Sequence, residues 1–305
     1  MLTDSFRENR QDIVFITVIL LPLIILVGIL IYLPAVDSLI VSFTNENLRI
    51  RRLPKFIWLE NYSKLLENSE FWIVTARSLL VVALTLPLEL LISLGLALLL
   101  TEVFPGRAMV RTLVLLPWML PPIVNGFLWG WLLNGEYGAL NGLLYQLGII
   151  DEYVTWLRNP NTQVIWVAVV QTWTRFAFPT IILLAGLQSI PKDLLDAAKV
   201  DGASSWQSFK SIVLPLLMPS FAIALTIEFI AAFQIFDVIW TLTAGGSAGG
   251  AINPFTKTLM LYNYELVFRD LRIGLGAALS YLILFLSLGV AIVFVTRLYN
   301  QAVKS

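Results

Sequence analysis

The stretch TLVLLPWMLPPIVNGFLWGWLLNG at positions 112–135 decides the class of this protein. Its 24 residues carry no charge, and about 20 predominantly apolar residues are enough for an α-helix to cross a bilayer. The stretch also contains Pro117, Pro121 and Pro122, which lack backbone N–H donors and therefore kink or break a helix. A membrane tolerates such breaks only inside a helix bundle or beside a cavity. We therefore predict a broken membrane span that lies within a bundle.

The composition agrees with a chain that is mostly embedded in lipid. Of its 305 residues, 58% are hydrophobic and only 13% are charged, whereas roughly one quarter of a soluble domain is charged. Cysteine and histidine are absent, which excludes disulfides, thiol nucleophiles, imidazole chemistry and metal sites built from these ligands. The formal net charge is zero, so no basic patch suggests a nucleic-acid partner.

Counting apolar segments along the chain predicts an all-α membrane protein with about six transmembrane helices in a single domain over residues 1–305. The predicted spans cover residues 13–36, 72–101, 108–135, 162–190, 211–240 and 273–296. The first segment is longer than the apolar core of a signal peptide and no small-residue cleavage site follows it, so we interpret it as an uncleaved span. An even number of spans puts both termini on the same side.

The loops between the spans predict a folded cap but give no orientation. Lysine and arginine in short loops normally mark the cytoplasmic side, but the six-span arrangement puts nine of them on each side. The segment 37–71 mixes basic residues with glutamates and ends in an aromatic, amphipathic stretch at 56–66. We predict that it forms a small folded cap outside the bilayer.

The connection between the fourth and fifth spans, at 191–210, carries helix signals at both ends. Pro191 suits a first helical turn, and Gly202 can end a short helix. Ser204 followed by Gln207 is a capping-box pattern that can start a second helix. Three apolar residues at helical spacing make the first helix amphipathic: Leu194, Leu195 and Ala198. The pattern alone fits a helix–turn–helix elbow on the membrane surface and an ordinary loop equally well.

The same connection resembles a motif of known membrane proteins. DAAKVDGA at 196–203 is similar to the Glu-Ala-Ala…Gly motif of permease subunits in bacterial ATP-binding-cassette importers, and matching residues follow at Phe209, Ile212, Leu214, Pro215 and Pro219. The likeness extends over nearly the whole chain and is to the carbohydrate-uptake group of binding-protein-dependent permeases. Its other matches lie at 111–117, Trp129, Trp131, Asn141, 185–191, 233–240 and 242–246. Two positions depart from the pattern, since Asp196 replaces a glutamate and Ser247 a proline.

The resemblance implies that the elbow is a cytoplasmic coupling helix docked on a separate ATPase. Both termini would then be cytoplasmic, in a bacterial plasma (inner) membrane. The motif assigns the docking contacts to Asp196, Ala197, Ala198, Asp201, Gly202 and Ala203. The alternative is that the two aspartates merely solubilise an exposed helix.

The resemblance also implies the partners of the chain. These are a second related permease subunit, a cytoplasmic ATPase dimer that binds ATP and magnesium, an extracellular or periplasmic solute-binding protein, a sugar or sugar-like solute, and membrane lipid. This chain has no phosphate-binding Gly-x-x-x-x-Gly-Lys-Ser/Thr loop, and its glycine-rich run at 245–250 contains no lysine. We interpret that run as an extracellular turn and expect no cofactor on this chain.

Charged residues inside the predicted spans mark the candidate translocation path. Charges are costly in lipid, so they should face the bundle or a watery cavity. The four in question are Glu89, Arg175, Glu228 and Asp237. Polar or aromatic neighbours that can contact a sugar are Asn125, Trp129, Trp131, Trp173 and Gln234. The alternatives are a structural ion pair of Arg175 with Glu228 or Asp237, and an interfacial belt for the tryptophans.

Three functions fit a chain of this kind. The first is a non-catalytic permease subunit whose partner hydrolyses ATP. The second is an autonomous secondary transporter that couples ions through buried carboxylates, but such a carrier needs no elbow for an ATPase. The third is a membrane-embedded enzyme with Glu89 or Asp237 as acid or base, but the chain lacks histidine, cysteine and a close carboxylate pair. We therefore predict the permease subunit.

Overall fold

The computed structural model describes residues 15, 17–50, 53–244 and 255–304. Within these ranges the regular structure is helical, apart from an isolated antiparallel bridge between Thr44 and Phe56. The helices are, in chain order, Thr17–Ser42 (α1), Glu60–Glu67 (α2), Ser69–Thr101 (α3), Arg107–Met119 (α4), Pro122–Leu132 (α5), Ala139–Gln146 (α6), Pro160–Arg175 (α7), Ala177–Gln188 (α8), Lys192–Val200 (α9), Ser205–Phe233 (α10), Asp237–Ile239 (α11), Leu259–Tyr264 (α12) and Ile273–Lys304 (α13). Helix α11 continues into a π-helical turn, Trp240–Ala244, and α12 into another, Glu265–Arg269.

These helices confirm the predicted membrane fold. In the described part of the chain, four helices are long and apolar enough to cross a membrane: α1, α3, α10 and the Ile273–Phe294 part of α13. Two bent pairs, α4 with α5 and α7 with α8, pass the same test when each pair is taken together. Counting each pair as one span gives the six spans that the sequence predicts.

The third span is broken at its prolines. Helix α4 ends at Met119, α5 begins at Pro122, and the two are bent by 95°. The carbonyl groups that the break leaves without helical donors are bonded by a nearby side chain. The Asn125 amide nitrogen donates to the Pro117 carbonyl at 2.9 Å and to the Leu120 carbonyl at 3.4 Å. This outcome confirms the prediction from the proline pattern.

The fourth span is also broken, which the sequence analysis does not predict. Helix α7 ends at Arg175, and α8 continues from Ala177 at an angle of 49°. Pro179 has no N–H to donate to the carbonyl four residues before it, and its ring pushes that carbonyl aside. The Ser93 hydroxyl of α3 donates to the neighbouring Phe176 carbonyl at 2.8 Å and stabilises the bend.

The fifth span ends earlier than predicted. Helix α10 stops at Phe233, seven residues before the predicted end at 240, and the chain is helical again only from Asp237. The intervening residues include neither proline nor glycine, and they are followed by an apolar run, so hydropathy continues across the break. At the break the Thr258 hydroxyl donates to the Ile235 carbonyl at 3.4 Å.

Helix α3 is central to the larger of two compact units, which comprises the described residues of 68–263 and 283–305. It packs against α7, α8 and α10. One buried apolar cluster joins Ala97 of α3 to Leu183 of α8 and Leu217 of α10, all fully buried. A second cluster joins Val81 of α3 to residues of α7 and α11. The buried members of both clusters are aliphatic, and they hold the helices in place around the breaks.

The smaller unit comprises the described residues of 1–67 and 264–282 and contains the predicted cap. The buried Asn61 amide donates to the Ser42 carbonyl at 2.9 Å and to the Thr44 carbonyl at 2.7 Å. Arg49 donates to the Arg269 carbonyl at 2.7 Å and lies 3.5 Å from the Asp270 carboxylate. Polar contacts of this kind therefore help to fold the segment after α1.

Replacing Gly186 by alanine should destabilise the larger unit. A Cβ atom at Gly186 of α8 would lie 2.8 Å from the Leu217 Cδ1 and Ser220 Cβ atoms of α10, so the two helices would have to separate. Overpacking of this kind costs about 1–3 kcal/mol. We expect a lower midpoint of thermal unfolding for the purified protein in detergent. Gly95→Ala is the matched control, since a Cβ there meets nothing within 4 Å; equal midpoints would contradict the close packing.

Candidate functional site

Three helix breaks lie around one open cleft of about 570 Å³. Its lining includes Pro122 at the start of α5, Arg175 at the end of α7, and residues 234–238 after the end of α10. Non-helical backbone at membrane depth is tolerated where it is buried in protein or lines a watery cavity. Transporters commonly bind their solutes where discontinuous helices meet. The cleft is therefore the candidate site on the translocation path.

A buried ion pair forms part of the cleft wall. The Arg175 Nε atom lies 2.9 Å from Glu228 Oε2, and Nη2 lies 3.3 Å from Oε1. The Glu228 side chain is fully buried, while 24% of the Arg175 side chain is exposed. Two parallel, charge-assisted hydrogen bonds fix the orientation of the guanidinium group. Arg175 therefore both pairs with a carboxylate on α10 and lines the cleft.

Glu89 lies close enough to this pair to interact electrostatically with both of its members. Its side chain is fully buried in α3. Neither carboxylate oxygen of Glu89 accepts a hydrogen bond from the residues that the structure describes. Because it is fully buried, Glu89 contributes to the field behind the cleft wall and does not reach the surface of the cleft.

The other polar lining residues lie on the break after α10 and on α7. Gln234 is exposed, Asp237 is half-buried, and both line the cleft with Arg175. The cleft is also lined by Gln171, which the sequence analysis misses. Gln171 precedes Arg175 by four residues, a spacing that puts two side chains on the same face of a helix. That spacing is the signal by which the sequence could have identified it.

Aromatic rings form a connected series beside the cleft-lining helices. Trp129 lies 6.1 Å from Trp173 and 6.2 Å from Trp166, measured between ring centroids. Trp166 also lies 5.6 Å from Trp156. Two of the predicted aromatic residues, Trp129 and Trp173, are thus brought together, with two further tryptophans that the sequence analysis misses. Trp131 is 60% exposed.

The Asn125 side chain is buried and hydrogen-bonded within the protein. Its side chain is almost fully buried, at 1% exposure, and its amide nitrogen donates to the carbonyl groups at the α4–α5 break. These bonds use both of the amide protons that could reach a solute. Asn125 therefore stabilises the break beside Pro122.

The elbow has the helix–turn–helix form that its sequence predicts. Helix α9 ends at a glycine with a positive φ, Gly202 at +77°. The Gly202 N–H donates to the Lys199 carbonyl at 3.1 Å, and the Ala203 N–H donates to the Ala198 carbonyl at 2.9 Å. These two bonds are the Schellman arrangement, in which a left-handed residue ends the helix and its last carbonyl groups are bonded.

The second helix of the elbow begins with the predicted capping box. The Gln207 N–H donates to the Ser204 hydroxyl at 3.3 Å, and the Ser204 N–H donates to the Gln207 side-chain oxygen at 2.7 Å. This helix is the start of α10, which passes through a π-helical turn at Phe209–Val213 and continues into the fifth span. Pro191, predicted in the first turn, instead lies at the N-cap of α9.

The predicted docking residues lie on and around the turn at Gly202. Asp196, Ala197, Asp201 and Gly202 are exposed, Ala203 is half-buried, and Ala198 is buried. Asp196 forms an exposed ion pair with Lys199 at 3.0 Å. Two large apolar side chains flank the turn and were not predicted, Val200 with 88% exposure and Trp206 with 69%. The elbow thus presents both carboxylates and apolar surface.

Part of the predicted outer loop lies outside the described residues. The glycine-rich run at 245–250 and the departure at Ser247 belong to this part. The preceding residues Leu242 and Thr243 are buried in the π-helical turn after α11.

Comparison with known proteins identifies the family. A family model described as "Binding-protein-dependent transport system inner membrane component" matches residues 89–305. The chain is 36% identical over 290 residues to the trehalose/maltose transport system permease protein MalF of Thermococcus litoralis. The matched residues cover 95% of this chain and 94% of that protein. It is 34% identical over 283 residues to the sulfoquinovosyl glycerol transport system permease protein SmoG of Agrobacterium fabrum, with 93% and 90% covered.

A solved structure has the same fold. It is a chain of a bacterial alginate ABC transporter in complex with an alginate pentasaccharide-bound periplasmic protein, with a TM-score of 0.75, 22% identity and 95% of both chains covered. At that identity the likeness concerns the fold alone. The family match over more than half of the chain and the identity to relatives over nearly its full length show that this chain belongs to the multi-pass inner membrane components, or permease subunits, of binding-protein-dependent ABC transport systems.

Proposed function

We propose that this chain is the permease subunit of an ATP-driven importer that receives a sugar or sugar-like solute from a binding protein. The observation that carries the proposal is the convergence of three helix breaks on the cleft lined by Gln171, Arg175, Gln234 and Asp237. Amide, carboxylate and guanidinium groups supply the donors and acceptors that match sugar hydroxyls. The names of the relatives support a sugar-like solute, because they specify trehalose/maltose and sulfoquinovosyl glycerol.

The elbow between α8 and α10 is the proposed dock for the motor. In a six-span chain it lies on the side of both termini, so docking on a cytoplasmic ATPase makes both termini cytoplasmic. ATP and magnesium belong to the ATPase dimer, and a second permease subunit completes the pathway. Closure of the ATPase dimer then moves the elbow and shifts the bundle between an inward-open and an outward-open state.

The proposed function is tested by uptake into vesicles. The complete importer, with its binding protein and ATPase, is reconstituted and supplied with radiolabelled trehalose or maltose. We expect ATP-dependent accumulation that falls to background when the ATPase is inactivated or the binding protein is left out. Accumulation by this chain alone under an ion gradient would instead establish the secondary transporter.

Removing the exposed carboxylates of the elbow should uncouple the motor. Asp196 and Asp201 are both exposed, and the ion pair of Asp196 with Lys199 is of the surface type that contributes about 0–1 kcal/mol. We therefore expect Asp196→Ala and Asp201→Ala to leave the thermal unfolding midpoint nearly unchanged. Their affinity for the ATPase should fall about tenfold, equivalent to about 1.4 kcal/mol.

Affinity-tagged ATPase captured with each permease variant provides the measurement. Asp151→Ala is the matched control, because Asp151 is an exposed carboxylate in the loop between α6 and α7, on the opposite side of the six-span arrangement. Undiminished capture and uptake with both elbow variants would assign Asp196 and Asp201 to solvation of the helix alone.

Folding should require that Arg175 and Glu228 are either both present or both replaced. Removing one member of a buried pair costs about 3–5 kcal/mol because the other charge is left uncompensated. We expect Arg175→Gln and Glu228→Gln to lower the folded yield in membranes, and the double variant to recover much of it. If folding recovers while uptake does not, Arg175 also acts on the solute. A double variant no better folded than either single one contradicts the pairing.

A further inference from the structure

We infer that the cleft is selective for an uncharged sugar and rejects solutes that carry a sulfonate, carboxylate or phosphate group. The inference rests on the proposed function and names its substrate class. It separates this chain from relatives whose names specify an anionic solute, such as the sulfoquinovosyl glycerol permease. Three features of the cleft support the inference: its charge balance, the composition of the α5 end beside it, and the hydrogen-bonding groups on its wall.

The charge balance of the cleft is unfavourable for an anion. Among the described residues that line the cleft, Arg175 is the sole cation. Its Nε and Nη2 atoms are both hydrogen-bonded to the Glu228 carboxylate, so the positive charge is already compensated. Asp237 adds a negative charge on the wall. The formal charges of Arg175, Glu228 and Asp237 add up to −1. Glu89 behind them adds no positive charge in either protonation state.

The α5 end at the cleft supplies little to replace a cation. Helix N-termini bind anions through their free backbone N–H groups. At the cleft, α5 begins with Pro122 after Pro121 at its N-cap, and proline has no N–H. The N–H groups of Val124 and Asn125 both donate to the Pro121 carbonyl. The α5 end that borders the cleft is thus poor in the donors that a phosphate or sulfonate needs.

An uncharged sugar finds suitable groups on the same wall. The side-chain amides of Gln171 and Gln234 can each donate and accept hydrogen bonds, as a hydroxyl group does. The Asp237 carboxylate accepts from hydroxyl groups, and the Arg175 guanidinium keeps donors beyond the two that bind Glu228. These side chains can therefore replace the water molecules that a sugar hydroxyl loses on entering the cleft. An uncharged sugar also brings no second negative charge beside Asp237.

The test compares two probes that differ in one group. Glucosylglycerol and sulfoquinovosyl glycerol share a skeleton, and the second has a sulfonate in place of the C6 hydroxyl. Both are titrated calorimetrically into the complete permease–ATPase complex in nanodiscs without the binding protein, so that the measured selectivity belongs to the pathway. We expect the neutral probe to bind at least about tenfold more tightly, with a ratio that shrinks as added salt screens the repulsion.

A charge variant assigns the selectivity to the wall. Asp237→Asn keeps the size of the side chain and removes its charge, so it should raise affinity for the anionic probe several-fold and lower the neutral-to-anionic affinity ratio. Asp151→Asn, on an exposed loop away from the cleft, should leave the ratio unaltered. Equal or tighter binding of the anionic probe to the wild type overturns the inference but not the proposed function. The proposed function instead fails if the complete importer takes up no sugar of either kind.

Discussion

Every polar group in the hydrocarbon core needs a partner inside the protein, because no water reaches it there. Each helix break in the larger unit meets this requirement with a side chain. Asn125 donates to carbonyl groups at the α4–α5 break, Ser93 to the Phe176 carbonyl at the α7–α8 bend, and Thr258 to the Ile235 carbonyl after α10. A break that faced lipid would lack donors from neighbouring elements, such as Ser93 and Thr258. The requirement therefore keeps all three breaks inside the unit, where they can border a common cleft.

The Arg175–Glu228 pair meets the same requirement. A buried ion pair is weak support for stability, since desolvation offsets much of its attraction, and apolar residues can often replace it. The pair of Arg175 with Glu228 is accordingly better explained by the cleft than by the stability of the fold. It allows a guanidinium group to line the cleft while its charge is compensated from the fully buried side of α10. The buried Glu89 adds a second carboxylate near the same cation.

Local signals predicted much of this fold, and packing determined the rest. The prolines at 117–122 and the Ser204–Gln207 capping box act over a few residues, so the sequence revealed both the broken third span and the elbow. The end of α10 at Phe233 has no local marker, because the apolar run continues past it. Gln171 and Trp166 were missed for a related reason. Whether a residue faces a cleft depends on the neighbouring helices, which a single sequence does not place.

The geometry joins the elbow to the cleft through two packed helices. Helix α10 begins in the elbow at Ser205 and ends at Phe233, directly before the cleft residues, so one rod of 29 residues, about 43 Å long, connects the two. Helix α8 connects the bend after Arg175 to the other end of the elbow. Gly186 of α8 lies so close to α10 that even a methyl group would not fit between them. Because densely packed interiors transmit strain, we expect a displacement of the elbow to move α8 and α10 together. Glu228 lies on α10 and Arg175 lies directly before the bend that leads into α8, so we expect the pair to stay intact when these helices move.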